Sequence, residues 1–265
     1  MNRLFLDFET RSTLNIKKTG AWTYAAHPST EIMCLAYSVD GEPVIVLTRE
    51  QLNTRLGAMW YGMPTEDFIF VAHNSHFEYA IYHEILVKRF GWPPFADPKN
   101  WDCTLARAAA CNLPLSLEHL GNALGISSKK DLMGRSAMLK LCKPIAFEEG
   151  PIYNEDAALY DALYKYCAGD VRAEMEIDEK LPELPPAERA VFELDLIINR
   201  RGMQMDVDLA RQAAGLAVGL IAGLNDRLNT LTKGAVSKAS RIQEMKRWML
   251  TQGVGTPEGL DKYAV

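Results

Sequence analysis

The stretch Leu4-Phe5-Leu6-Asp7-Phe8-Glu9-Thr10 constrains this chain more than any other. Apolar and aromatic residues surround two acids, so the segment reads as a buried strand. Side chains two apart in a strand point to the same face. Asp7 and Glu9 therefore project together from a greasy strand. Paired carboxylates repel each other and are costly to desolvate. A positive partner should offset that cost, and a divalent cation is the usual one. A lone Asp-x-Glu also occurs as two solvated charges at a strand end, so the stretches downstream decide between the readings.

Two such stretches follow. Asn74-Ser75-His76-Phe77-Glu78 sits where the apolar run at residues 68–72, a central strand by its pattern, hands over to a helix at residues 77–90. That is the usual place for a site in an α/β sheet. Tyr166-Cys167-Ala168-Gly169-Asp170 lies inside a long helical pattern. In a helix, Tyr166 and Asp170 stack on one face. Singly, each has a plain structural reading. Asn74 could cap its helix, Glu78 could be a solvated first-turn acid favoured by the dipole, and Tyr166 could be a core tyrosine. Jointly, and in this order, they predict one shared site. His73 and His76 are residues that zinc favours. However, His73 precedes the helix, so the two are not an i, i+4 pair, and a zinc site is disfavoured. His76 reads as a rim residue facing DNA or solvent.

The rest of the chain supplies a frame. Residues 32–39 read as a strand, Asp40-Gly41 as a hairpin turn, and residues 43–48 as its antiparallel return. Residues 11–30 read as a polar loop and 50–60 as helical. A short fifth strand is predicted at 101–104, leading into a helix through Cys111, and Ser116 reads as the N-cap of another. Residues 129–149 read as irregular around one short helix. A long helix is predicted over 154–181, and Leu181-Pro182-Glu183-Leu184-Pro185-Pro186 breaks it. That break is the expected domain boundary. Helices at 187–200, 209–231 and 240–251 follow.

With 265 residues the chain can bury a full core in one or two domains. Its five cysteines are scattered without a Cys-x-x-Cys pair. That argues against a zinc ribbon or disulfide framework and fits a reducing cytoplasm. No basic segment followed by an apolar run opens the chain, so no signal peptide is expected. Residues 209–231 are interrupted by Arg211, Gln212, Asn225, Asp226 and glycines, so no bilayer span and no membrane partner are expected. The net charge of −5 is uneven: residues 1–183 hold 18 Lys/Arg against 25 Asp/Glu. An acidic domain can still take nucleic acid where bound metals neutralise its site.

Asp7-x-Glu9, Asn74-x-x-x-Glu78 and Tyr166-x-x-x-Asp170 resemble the three motifs of the four-carboxylate (DEDD) 3′–5′ exonucleases, in the tyrosine subclass. The resemblance covers about residues 1–182. It implies an α/β, ribonuclease H-like fold: a mixed five-stranded sheet, three antiparallel strands first, flanked by helices. Phe5 to Ser12, Ala72 to Glu78 and the segment Ile197 to Asp206 further resemble bacteriophage-type family A DNA polymerases. Residues 183–265 would then be a helical extension like the start of a polymerase region, with a polymerase module in cis or in trans and the host cytoplasm as the compartment.

The resemblance also implies roles. Asp7, Glu9, Glu78 and Asp170 would hold two divalent cations, Mg²⁺ or Mn²⁺. Tyr166 would orient the attacking water. Thr10, Asn74 and Phe77 would meet the terminal nucleotide of a single-stranded or frayed DNA 3′ end. At the position of Glu78 the family carries Asp. The additional methylene moves the carboxylate about 1.5 Å, comparable to a misplacement that costs a hundredfold in rate. An exoribonuclease, or a catalytically weak DNA-binding or scaffolding domain, are the alternatives.

Overall fold

The computed structural model of the protein describes residues 2–52, 68–94, 97–127 and 132–255. Strand β1 (Asn2–Arg11) leads through two short helices, α1 (Ile16–Thr19) and α2 (Ala21–Ala26), into β2 (Glu31–Val39) and β3 (Ile45–Thr48). Helix α3 (Arg49–Leu52) and strand β4 (Phe68–Ala72) come next. Helix α4 (Ser75–Ile81) then runs through a π-helical stretch (Tyr82–Val87) into α5 (Lys88–Phe90). Strand β5 (Trp101–Cys103) precedes α6 (Thr104–Ala110), α7 (Leu117–Leu124) and α8 (Leu132–Leu141). A small hairpin of β6 (Ala146–Phe147) and β7 (Pro151–Ile152) leads to the long helix α9 (Ala157–Lys180). Helices α10 (Pro186–Arg201), α11 (Val207–Leu231) and α12 (Ile242–Thr251) complete the order.

The main sheet has the order β3-β2-β1-β4-β5. Strands β1, β2 and β3 are antiparallel in sequence, and β4 and β5 run parallel to β1. This is the ribonuclease H-like arrangement that the motifs implied. The β2–β3 turn works because Asp40 and Gly41 both take positive φ, 48° and 84°. Asp40 also accepts a hydrogen bond from the Arg3 backbone N–H at 2.6 Å, which ties the turn to β1.

Alternation in β1 divides the core. Leu4, Leu6 and Phe8 face one side, against Tyr79, Ile81, Ile85 and Trp101. Phe5 faces the other, against Leu163, Cys167 and Val171 of α9. A strand buried on both faces is what the near-continuous apolar run requires. Asp7 and Glu9 share the face of Phe5, so they point towards α9.

Several local expectations needed correction. Residues 11–30 are not a loop throughout, because they form α1 and α2. The Asn15 side chain caps α1 by accepting from Lys17 N. Gly20, at φ 78°, ends α1 and starts α2. Such short helices have too few turns to register as a period. The helical stretch expected at 50–60 starts as α3, and its remainder lies outside the described residues. Residues 129–149 contain α8 and the first strand of the small hairpin. The long helix starts at Ala157, and Asp156 caps it by accepting from Ala158 N.

The chain divides into two compact units, Met1–Gly202 and Met203–Val265. The first unit includes α10 because Phe192 and Leu196 sink into the core beneath it. The prolines at 182–186 separate α9 from α10, while the compact division falls at Gly202. The second unit holds α11 and α12, with Thr232 and Val236 buried. The expectation that no segment could span a bilayer does not hold on length and composition. Helix α11 runs 25 residues and has a mean hydropathy of 1.4 over its most apolar window. Arg211, Asp226 and Arg227 fall towards its ends, so they interrupt it less than a linear reading suggests.

Candidate active site

The site follows from where β4 stops. Strand β4 pairs with β1 only from Asn2 to Phe5. Beyond Phe5, β1 continues with β2 alone at its side. Asp7 lies opposite Ala36 and Glu9 opposite Cys34. Both neighbours are small. The register shifts between Glu9 and Thr10, which ends the regular ladder. Helix α9 crosses this overhang and lowers Asp170 onto it. One carboxylate oxygen each from Asp7, Glu9 and Asp170 then lies within 4.8 Å of the others, all three side chains half-buried. Hard oxygen donors at that spacing suit Mg²⁺ or Mn²⁺.

Without a cation the arrangement is electrostatically costly. Burial pushes the Glu9 carboxyl well above the usual carboxylate range, and Asp7 adds to the rise. Cys167, one turn before Asp170, offers partial relief. Its thiol reaches Asp7 Oδ2 at 3.2 Å and the Asp7 carbonyl at 3.4 Å. Burial raises that thiol's own pKa, so it stays protonated and remains a donor.

Tyr166 lies on the same face of α9 and is 6% exposed. Asp170 follows it by one turn on the same face of the helix. Burial, then Asp170 and Glu9, push its pKa far up, so it stays a neutral phenol. Gly134 of α8 covers this tyrosine. A Cβ at that position would sit 2.9 Å from both Cγ and Cδ2 of Tyr166, and closer still to its Cβ.

Glu78 is the fourth expected acid. It is buried in the first turn of α4, at 3% exposure. Burial and then Asp7 raise its pKa well above the ordinary range. Its Oε2 has no hydrogen-bond partner among the described residues. Among the described residues, however, the group with cation-binding spacing is Asp7, Glu9 and Asp170, without Glu78. The structure therefore brings three of the four acids together and holds the fourth beside Asp7, outside that trio.

The other candidates are scattered around this centre. Thr10 is buried, and its hydroxyl is shared with that of Tyr24 at 3.0 Å. Asn74 occupies the N-cap of α4 in left-handed backbone, φ 73° and ψ 49°, but its side chain makes no cap hydrogen bond. It is exposed and lines a cleft of about 770 Å³ between α4, α6 and α10, together with His76 and Phe192. Phe77 is half-buried and tilts against Tyr24, ring centroids 6.3 Å apart. His73 bonds Thr104 Oγ1 and the Leu115 carbonyl, both at 2.9 Å. His76 Nε2 lies 3.0 Å from Asp195 Oδ2. Burial lowers the His76 pKa, although Asp195 opposes that shift.

Glu174 escaped the sequence reading. It lies one helical turn beyond Asp170 on α9 and is only 2% exposed. Its spacing from Asp170 would have placed it on the same face, yet a Glu in a charged helix reads as solvated.

Behind the site an ion cluster ties β1 to the end of α9. Arg107 reaches Asp102 at 3.1 Å and Asp178 at 2.5 Å, and Arg3 reaches the same two acids at 2.8 and 2.6 Å. Arg107 also donates to the carbonyls of Leu181 and Pro182, which fixes the proline break against α6.

The chain is similar to the DNA polymerase of Bacillus phage SP02, with 28% identity over 262 residues. The match covers 96% of this chain and 39% of that protein, so this chain spans about two fifths of the relative's length. Among solved structures, the family B DNA polymerase of the hyperthermophilic archaeon Pyrobaculum calidifontis aligns over 68% of this chain and 24% of that one, at a TM-score of 0.44 and 15% identity. No protein-family model matches the chain.

Proposed function

We propose that this chain carries a metal-dependent 3′–5′ exonuclease of the tyrosine subclass of four-carboxylate nucleases, acting on DNA 3′ ends as the proofreading part of a bacteriophage-type family A polymerase. The observation that carries the reading is the meeting of Asp7 and Glu9 from β1 with Asp170 from α9. Residues 1–182 would form the nuclease and 183–265 the start of a polymerase region. Similarity to a phage DNA polymerase favours DNA over RNA as the substrate.

In this reading Asp7, Glu9 and Asp170 would hold a cation, and Glu78 would help to hold a second. Bound cations would supply an acidified water and stabilise charge on the leaving 3′ oxygen. The protein's own side chains do the rest. Tyr166 is held protonated by burial and by Asp170, so it orients a water by hydrogen bond and does not take its proton. Cys167 fixes the rotamer of Asp7. Asn74 and Phe77 are the side chains available to a terminal nucleotide, for which the neighbouring cleft leaves room. Thr10, its hydroxyl taken by Tyr24, shapes that end of β1. Frayed or mismatched ends cost less to unpair, which gives such an enzyme its selectivity.

A second reading rests on Glu78. Its place outside the carboxylate trio favours a domain that binds DNA and cleaves it slowly. Digestion of a 5′-labelled single strand with Mg²⁺ or Mn²⁺, beside Asp7→Ala, separates the two. A ladder shortening from the 3′ end that disappears in the variant supports the nuclease. Retained DNA binding without cleavage in either protein supports the second reading. Matched RNA and DNA strands test the sugar preference.

A further inference from the structure

We propose that Glu174 is a fifth carboxylate of this centre and that, with Glu78, it holds the second cation through the cation's water shell. The inference rests on the nuclease reading above and adds a ligand to it. Glu174 and Glu78 are 2% and 3% exposed, and each has one buried oxygen, Oε2, with no hydrogen-bond partner among the described residues. A buried carboxylate oxygen without a donor is costly. Two of them on the elements that frame the carboxylate trio favour a shared positive partner.

Position supports the assignment. Glu174 follows Asp170 by one turn of α9, on the face that packs against β1. Burial, and after it the charges of Asp7 and Glu78, raise its pKa well above the carboxylate range. Asp7 lies on β1 just past the last residue paired with β4, Glu78 is in the first turn of the helix that follows β4, and Glu174 is on the helix that carries Asp170. Glu78 and Glu174 do not enter the group whose oxygens lie within 4.8 Å of one another. Their oxygens therefore lie outside the directly ligating group. That placement fits a hydrated ion, because Mg²⁺ gives up its waters reluctantly and its bound waters donate well to carboxylates.

Mn²⁺ titration of the full chain, followed by calorimetry and by the electron paramagnetic resonance of free Mn²⁺, tests this. The wild-type protein should bind two ions. Glu174→Gln keeps the shape and removes the charge. It should weaken the second site about 10- to 100-fold, the usual cost of losing an outer-shell partner, and leave the first unchanged. Two wild-type sites in folded Glu174→Gln would overturn the proposal and make Glu174 a neutral core acid. Should Glu174→Gln fail to fold, Glu174→Asp asks the same question. Weakening confined to the second site supports the proposal, and an unchanged isotherm overturns it. A wild-type protein that binds no Mn²⁺ would instead remove the nuclease reading itself.

Discussion

The thiol of Cys167 lies 3.2 Å from Asp7 Oδ2 and donates to it. The link joins the long helix to the first strand at the residue on which the carboxylate group converges. Cys167→Ala should leave the fold intact, because it removes one buried sulfur that packs among Phe5, Leu163 and Val171 beside Cys34. It should lower Mn²⁺ affinity about 10-fold, as loss of an orienting partner does. Cys167→Ser should retain most of it. Calorimetric titration reads both, and wild-type affinity in Cys167→Ala would show that Asp7 needs no such support.

Stability should depend on pH in a direction set by the buried acids. Glu9, Glu78 and Glu174 all have pKa values raised by burial. The native state therefore keeps protons that the unfolded chain releases. Below the ordinary carboxylate pKa of about 4.3 both states are protonated and these groups cost nothing. As pH rises above that value the unfolded chain ionises first, so their contribution to stability falls until the native acids ionise too. The melting temperature in EDTA should decline from weakly acidic pH towards neutrality. Saturating Mn²⁺, or Asp7→Asn, should flatten the decline. An equal slope in all three conditions would argue against mutual repulsion.

Gly134 sets how closely α8 approaches Tyr166. Gly134→Ala would drive a methyl group into the tyrosine side chain. Overpacking of this kind costs about 1–3 kcal/mol. Hydrolysis should fall more steeply than stability, because Tyr166 must move. Tyr166→Phe, which removes the hydroxyl and keeps the ring, should lower the rate with metal affinity preserved. Gly134→Ala with wild-type turnover would mean that the position of Tyr166 does not matter.

Arg107 is 2% exposed and serves two carboxylates and three main-chain carbonyls. Arg107→Ala leaves Asp102, also buried, with less compensation. Removing one partner of such a pair costs about 3–5 kcal/mol. Urea unfolding should show that loss. A change below about 1 kcal/mol, the range of surface pairs, would place the cluster in effective contact with solvent.

The legible parts of the sequence were those with a strong local signal. Alternation in β1 placed Asp7 and Glu9 on one face, and Asp40-Gly41 named its own turn. The face shared by Tyr166 and Asp170 followed from helical spacing. Other features depend on tertiary context. Helices α1 and α2 are too short to show a period. The π-helical stretch after Ile81 has no sequence signature. The identity of Glu78 was plain, but its distance from the carboxylate trio depends on how α4 meets the end of β4. Glu174 resembles any exposed helical glutamate until α9 is laid against the sheet. Helix α11 was judged by its interruptions, whereas its charges cluster near its ends.

The separation in sequence between the halves of the carboxylate group has a consequence for synthesis. Asp7 precedes its partner Cys167 by 160 residues, and Arg3 precedes Asp178 by 175. Contacts this distant are slow to form, since a long loop must close before they reward it. A nascent chain thus displays two acids on a growing sheet well before the helix that brings Asp170 to them has left the ribosome. Any cutting activity would switch on as a late event, after the surrounding walls have already folded.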